Sequence, residues 1–138
     1  MGSIAPLFLK KGNNMTIHEA ISRIDNEYSN SFTPEQKIQY LSRLDGLVKR
    51  EIIDRHEGAE NITFEEYTKN TPPDTVLLIP EPYTDAYIFW LQGWIDYWSG
   101  ELDSYNNAMM QYKEMFDAFY CDYHNTHTPK QNATLKFW

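Results

Sequence analysis

Residues 83–123 read YTDAYIFWLQGWIDYWSGELDSYNNAMMQYKEMFDAFYCDY, and the fold turns on how this stretch is taken. Within it Tyr83, Tyr87, Trp90, Trp94, Trp98, Leu102, Tyr105, Met109, Tyr112, Phe116, Phe119 and Tyr123 advance in steps of three or four. Such steps hold one stripe of side chains on one face of an α-helix, and the alternation of fours and threes after Trp98 has the rhythm of a bundle seam. The phase passes Ser99 and Gly100 without a slip, which predicts one long helix, straight or kinked at Gly100. At about 1.5 Å per residue it would reach on the order of 60 Å, more than a compact domain of this size needs. A rod that outgrows its own domain points to partners.

The two halves of this stretch differ in what surrounds them. Around Ile88, Phe89, Leu91, Ile95 and Tyr97 nearly every helical face is apolar, so the first half should be buried by its own domain or by neighbours. After Leu102 the far side turns polar with Asp103, Asn106, Asn107, Lys113, Glu114 and Asp117, which leaves one packing face. Trp90, Trp94, Trp98, Tyr105, Tyr112 and Phe116 are therefore the candidate seam. Core packing is its simplest use, and an interface anchored by indoles is the other.

Upstream, Thr16 with Glu19 makes a capping-box pattern, and Ile17, Ala20, Ile21 and Ile24 give a short helix one apolar face to about Glu27. The cap recurs as Thr33 before Pro34, with Gln36 at the box position. This second helix, of about six turns, is expected to run to His56 with Ile38, Leu41, Leu44, Val48 and Ile52 inward. From Glu57 to Glu81 helical periodicity disappears among Pro72, Pro73 and Pro80, so a long loop is expected, with a short strand near Thr75–Ile79. The expected fold is all-α: a small helical bundle with a short first helix, the six-turn helix, the Pro-containing loop and the long C-terminal helix. Residues 1–14 read as a flexible leader or arm, 15–128 as a single helical domain, and 129–138 as a tail whose Phe137 and Trp138 could anchor in another subunit's groove.

Whole-chain numbers narrow the function classes. With 138 residues there is room for one real core. Twelve basic against 20 acidic side chains give a net charge of -8, which repels a phosphate backbone and argues against non-specific nucleic-acid binding. No apolar run approaches the roughly 18 residues of a membrane span, so no membrane partner is expected. The lone Cys121 cannot form an internal disulfide and suits a reducing compartment.

Signals of chemistry are thin. Cys121, His124 and His127 follow one another at three-residue steps near a helix end, and thiolate with imidazole is a zinc set, yet no second ligand pair has matching spacing. His56 and Glu57 begin like a zinc-protease helix, but Glu60 stands where the second histidine belongs. Glu65 and Glu66 fit a solvated surface better than acid–base work. No phosphate-cradling glycine loop or nucleophile turn is present. The expectation is a non-enzyme with no cofactor and no metal.

One family shows the same order of features. A capped helix starts at Met15; Thr33-Pro34-Glu35-Gln36-Lys37 opens the second helix; Leu44-Asp45-Gly46 and Arg50-Glu51-Ile52-Ile53 follow within it. Then come Leu77-Leu78-Ile79-Pro80-Glu81-Pro82-Tyr83, Asp96-Tyr97, Gly100-Glu101-Leu102 and Tyr105-Asn106-Asn107. From about Met15 to Pro129 this resembles the small helical head-tail connector, or head-completion, proteins of tailed phages and prophages, while the tryptophan-rich helix and the first 14 residues depart from their pattern. The resemblance implies a structural virion adaptor, made in the bacterial cytoplasm during assembly, that forms a homo-oligomeric ring under the portal protein and receives a tail-side or stopper protein. An acidic helical regulator that binds one host protein through an aromatic groove is the alternative.

Overall fold

The computed structural model describes residues 14–130, so the expectations for residues 1–13 of the leader and for Phe137 and Trp138 fall outside the described residues, while Asn14, expected in the leader, begins a strand. A small, mostly helical bundle of four helices is the result. Strand β1 (Asn14–Thr16) leads directly into α1 (Ile17–Glu27), followed by α2 (Pro34–Glu51), two single 3-10 turns (Ile53–Arg55 and Ala59–Asn61), strand β2 (Val76–Pro80), α3 (Asp85–Trp98) and α4 (Leu102–Thr126). β1 and β2 pair antiparallel.

Both capping boxes form as their residue types dictate. Thr16 Oγ1 accepts from the Glu19 amide at 3.1 Å while Glu19 Oε1 accepts from the Thr16 amide at 2.9 Å. Thr33 and Gln36 exchange the same two bonds at 3.1 and 2.8 Å, with Pro34 in the first turn. These bonds occupy amides that a helix start otherwise leaves to water. α2 ends at Glu51, and the tighter turn Ile53–Arg55 carries the rod on to His56.

Gly100 is where the structure departs from the sequence reading. The expected continuous helix is two antiparallel helices, α3 and α4, folded back through Ser99–Glu101. Gly100 adopts φ 79°, its amide donates to the Tyr97 carbonyl at 3.2 Å, and the Glu101 amide donates to the Asp96 carbonyl at 2.9 Å. Those two bonds with a left-handed glycine form the Schellman stop, which satisfies the last carbonyls of α3 and reverses the chain. Trp94 then faces Tyr105, Trp90 faces Tyr112, and Tyr83 faces Phe119. Close approach is helped by Gly93, where a Cβ would lie 2.3 Å from Met109 Cε.

The seam phase survived because a hairpin also needs one apolar stripe going up and one coming down, and the short turn happens to join them with a step of four. Periodicity alone cannot separate the two topologies.

The core gathers Ile17, Ala20 and Ile24 of α1, Leu41, Leu44 and Val48 of α2, Leu77 and Ile79 of β2, and Ala86, Tyr87 and Leu91 of α3. At its centre sits Asp45, fully buried. Its Oδ2 accepts from Tyr67 Oη at 2.5 Å and from the Leu78 amide at 3.0 Å, and its Oδ1 accepts from Tyr87 Oη. One carboxylate thus ties α2 to the loop, to β2 and to α3. Burial pushes this carboxyl up to about 6, against the opposite pull of the three donors. The loop after Glu57 is correspondingly pinned, since Tyr67 also donates its amide to Ser42 Oγ at 3.0 Å.

Candidate interface: an aromatic face and a hairpin tip

Helices α2, α3 and α4 contribute aromatics to one continuous array. Tyr40 of α2 stacks on Trp94 of α3 with ring centroids 5.5 Å apart, and Phe32, just before α2, stacks on Tyr40 at 5.8 Å. Trp90 meets Trp94 edge to face at 5.7 Å and lies 4.9 Å from Tyr112 of α4, which continues to Phe116 at 5.6 Å. At the hairpin end Trp94 touches Tyr105 and Tyr97, and Tyr97 touches Trp98. The structure therefore brings all six seam residues into one array. It does so across a hairpin and not along a single rod. Tyr40, Phe32 and Tyr97 belong to the array as well; Tyr40 and Tyr97 stand off the main stripe and Phe32 lies in the segment before α2, which hid them.

The array is only half covered. Trp90, Trp94, Tyr105, Tyr112 and Phe116 are partly buried, and at the tip Trp98 is 64 % exposed, Leu102 58 % and Tyr97 43 %. Indole hydrogen bonds fix two of the rings: Trp90 Nε1 donates to the Tyr40 carbonyl at 2.8 Å and Trp98 Nε1 to Tyr40 Oη at 2.8 Å. Among the described residues Trp94 Nε1 and Asp96 Oδ2 are enclosed yet have no hydrogen-bond partner. An unpaired enclosed polar atom costs about 1–3 kcal/mol, so this end of the array is polar-deficient as it stands. Burial raises the Asp96 carboxyl above its usual range, Gln92 pulls it down and Glu101 adds to the rise. Burial likewise pushes the Tyr112 phenol up to about 12, with Asp117 contributing.

Beside the array runs a groove of about 770 Å³ along the outer face of α2. Its apolar lining is Ile38, Gly46 and Leu47 of α2, Phe64 of the loop, and Trp90 and Trp94 of α3. Arg43, Arg50 and Lys69 also line it, opposed by Glu35 and Glu66. Arg43 lies over the Tyr40 ring at 5.1 Å, and neither Arg43 nor Lys69 enters a salt bridge among the described residues.

The cysteine–histidine set separates. Cys121 is exposed, whereas His124 and His127 turn towards His56. His56 Nδ1 lies 2.7 Å from the Ile52 carbonyl and so donates its hydrogen there, leaving Nε2 to accept from His124 Nδ1 at 3.1 Å. His127 stacks flat on Tyr123 at 3.7 Å. These rings clasp the end of α4 to the turn after α2, a junction completed by the Glu57 amide on the Thr128 carbonyl and the Lys130 amide on the Arg55 carbonyl. Among the described residues no group of three or more His, Cys, Asp or Glu is placed to hold a metal ion. Glu65 and Glu66 are exposed, as a solvated pair would be.

No family model matches the chain, and neither a curated protein nor a solved structure matches it.

Proposed function

We propose that this chain is a structural adaptor of the head-tail connector of a tailed phage or prophage: a non-enzymatic subunit that joins copies of itself beneath the portal ring and receives the tail-side protein. The reading is supported by the resemblance carried by residues 15–129 and, physically, by the aromatic array that one subunit leaves half covered. Large aromatic side chains in a half-desolvated cluster are what protein interfaces use as anchors. With α3 and α4 folded back, rod length no longer argues for partners. The exposed tip of Tyr97, Trp98 and Leu102 argues for them instead. An acidic surface, at a net charge of -8, suits a wall past which DNA moves without sticking.

The test is to mix the purified chain with a portal ring from the same phage or prophage and measure the mass of what forms. A discrete complex with several copies of this chain per ring is expected. Persistent monomer beside free portal overturns the reading. A one-to-one complex with a single host protein, and none with portal, would favour the regulator.

A further inference from the structure

Resting on that reading, we propose which surfaces join neighbouring copies: the hairpin tip of one subunit, Tyr97, Trp98 and Leu102, seats in the α2 groove of the next. Three observations on this one molecule carry it.

The first is shape and polarity. The tip is a tight turn, since only Ser99–Glu101 separate α3 from α4, and it holds three of the six exposed large apolar side chains of the described residues. The groove is the complementary form, an open furrow of about 770 Å³ with Ile38, Leu47 and Phe64 among its apolar lining. That volume lies within the roughly 300–1,000 Å³ typical of sites that enclose a compact apolar group.

The second is charge. In a chain with net charge -8, the groove collects the bases Arg43, Arg50 and Lys69. The tip carries the exposed acids Glu101 and Asp103, neither of which forms a salt bridge among the described residues. Two unpaired acids flank the knob, while the hole sets three bases against Glu35 and Glu66 and keeps a net positive charge, with Arg43 and Lys69 free of salt bridges among the described residues. Seating one in the other brings opposite charges together at a rim, where they steer encounter and fix register more than they add affinity.

The third is symmetry. Knob and hole adjoin on one face but use different residues, so a one-way contact is heterologous and passes from copy to copy, closing into a ring where the rotation allows, whereas a reciprocal exchange closes a dimer. An aromatic tip meeting another tip would instead stop at a dimer.

Mixing two complementary variants tests this. The tip variant, Trp98→Ala with Glu101→Lys, keeps an intact groove; the groove variant, Arg43→Glu with Lys69→Glu, keeps an intact tip. All four positions are exposed, so melting followed by circular dichroism should show both folded. Sedimentation velocity of the wild type, up to about 1 mM, should show concentration-dependent self-association in the range a weak rim-assisted contact gives. Each variant alone should associate at least about tenfold more weakly. Mixed, they should form a discrete heterodimer, because one functional tip still finds one functional groove. Restoring the charge pairing within one chain, by joining Glu101→Lys and Asp103→Lys to the two groove reversals, should recover self-association. A wild type that stays monomeric throughout, variants that associate like the wild type, or a mixture that stays monomeric each overturn the proposal. Because no portal protein is present, self-association of this kind without portal binding would sink the connector reading and leave the contact standing.

Discussion

Replacing Asp45 by Asn should remove a pH dependence of stability that the wild type owes to one buried group. Asp45 has no exposed surface, and burial pushes its carboxyl up to about 6 in the fold, against 3.8 for a free aspartate side chain. A raised carboxyl means that the folded state takes up a proton more readily than the unfolded chain. Above about pH 6 both states are ionised, and the fold bears the whole cost of a buried charge. As pH falls from about 6 towards 4 the folded carboxyl becomes neutral first, so this group makes the protein more stable by about 3 kcal/mol, at about 1.36 kcal/mol for each pH unit of difference. Below about 4 no further gain is available. Asn cannot ionise, and it is nearly isosteric. At neutral pH it relieves the buried charge but forfeits charge-assisted acceptance from Tyr67, Tyr87 and the Leu78 amide, effects of similar size that leave the net change within about 2 kcal/mol. Urea unfolding of both proteins at pH 4.5, 5.5, 6.5 and 7.5, an arbitrary series spanning roughly the window named above, gives the difference directly. The stability of Asp45→Asn relative to wild type should fall by about 2–3 kcal/mol from the neutral to the acid end. Parallel curves would refute the argument, and an opposite slope would show the three donors holding the carboxylate ionised.

Other substitutions test the hairpin and the array. Gly93→Leu drives a side chain into Met109, whose Cε lies 2.3 Å from where a Cβ would be, and should cost about 2–3 kcal/mol by thermal unfolding. Met109→Ala in the same chain should return part of that loss; Gly93→Ala, where a gain in helix propensity of about 1 kcal/mol meets a flexible methionine end, should be near neutral. Gly100→Ala places a Cβ at φ 79° and should destabilise by about 1 kcal/mol by strain alone, since nothing lies within 4 Å of the added atom. Trp94→Ala should cost about 2–4 kcal/mol in denaturant unfolding, because its ring packs on Tyr40, Trp90 and Tyr105. Trp98→Ala, 64 % exposed, should cost less than about 1 kcal/mol in the isolated subunit.

Capping chemistry was the most legible part of the chain. Thr16 with Glu19 and Thr33 with Gln36 act within three residues, so nothing distant could override them, and both helices begin where those residues place them. The short strand was legible too, because Val76–Pro80 is an apolar run too short for a helix and bounded by prolines. The hairpin was not read, although its signal was present: glycine directly after an apolar helical run is a C-terminal stop. Stripe phase outweighed it, and phase is blind to whether the partner of Trp94 is a neighbour along one rod or Tyr105 on a returning helix. The same blindness hid Tyr40 and Phe32, which join the array only through tertiary packing. Asp45 stood in the sequence only as the middle of Leu44-Asp45-Gly46, with nothing local to mark it as buried. Its role depends on Tyr67 and Tyr87, 22 and 42 positions away, and no local pattern encodes such a meeting. Cys121, His124 and His127 showed the converse, a spacing that looked like one cluster while the fold paired the histidines with His56 and left the thiol outside.

Hydroxyl-radical footprinting of the chain, free and then assembled on a portal ring, most directly tests whether the aromatic face is where subunits meet. Protection is expected at Trp98, Tyr97 and Leu102 of the tip and at Phe64 and Trp90 of the groove, with Met110 on the outer side of α4 still open to oxidation. An assembled particle in which Trp98 reacts as fast as in the free subunit, and protection falls elsewhere, would contradict the account.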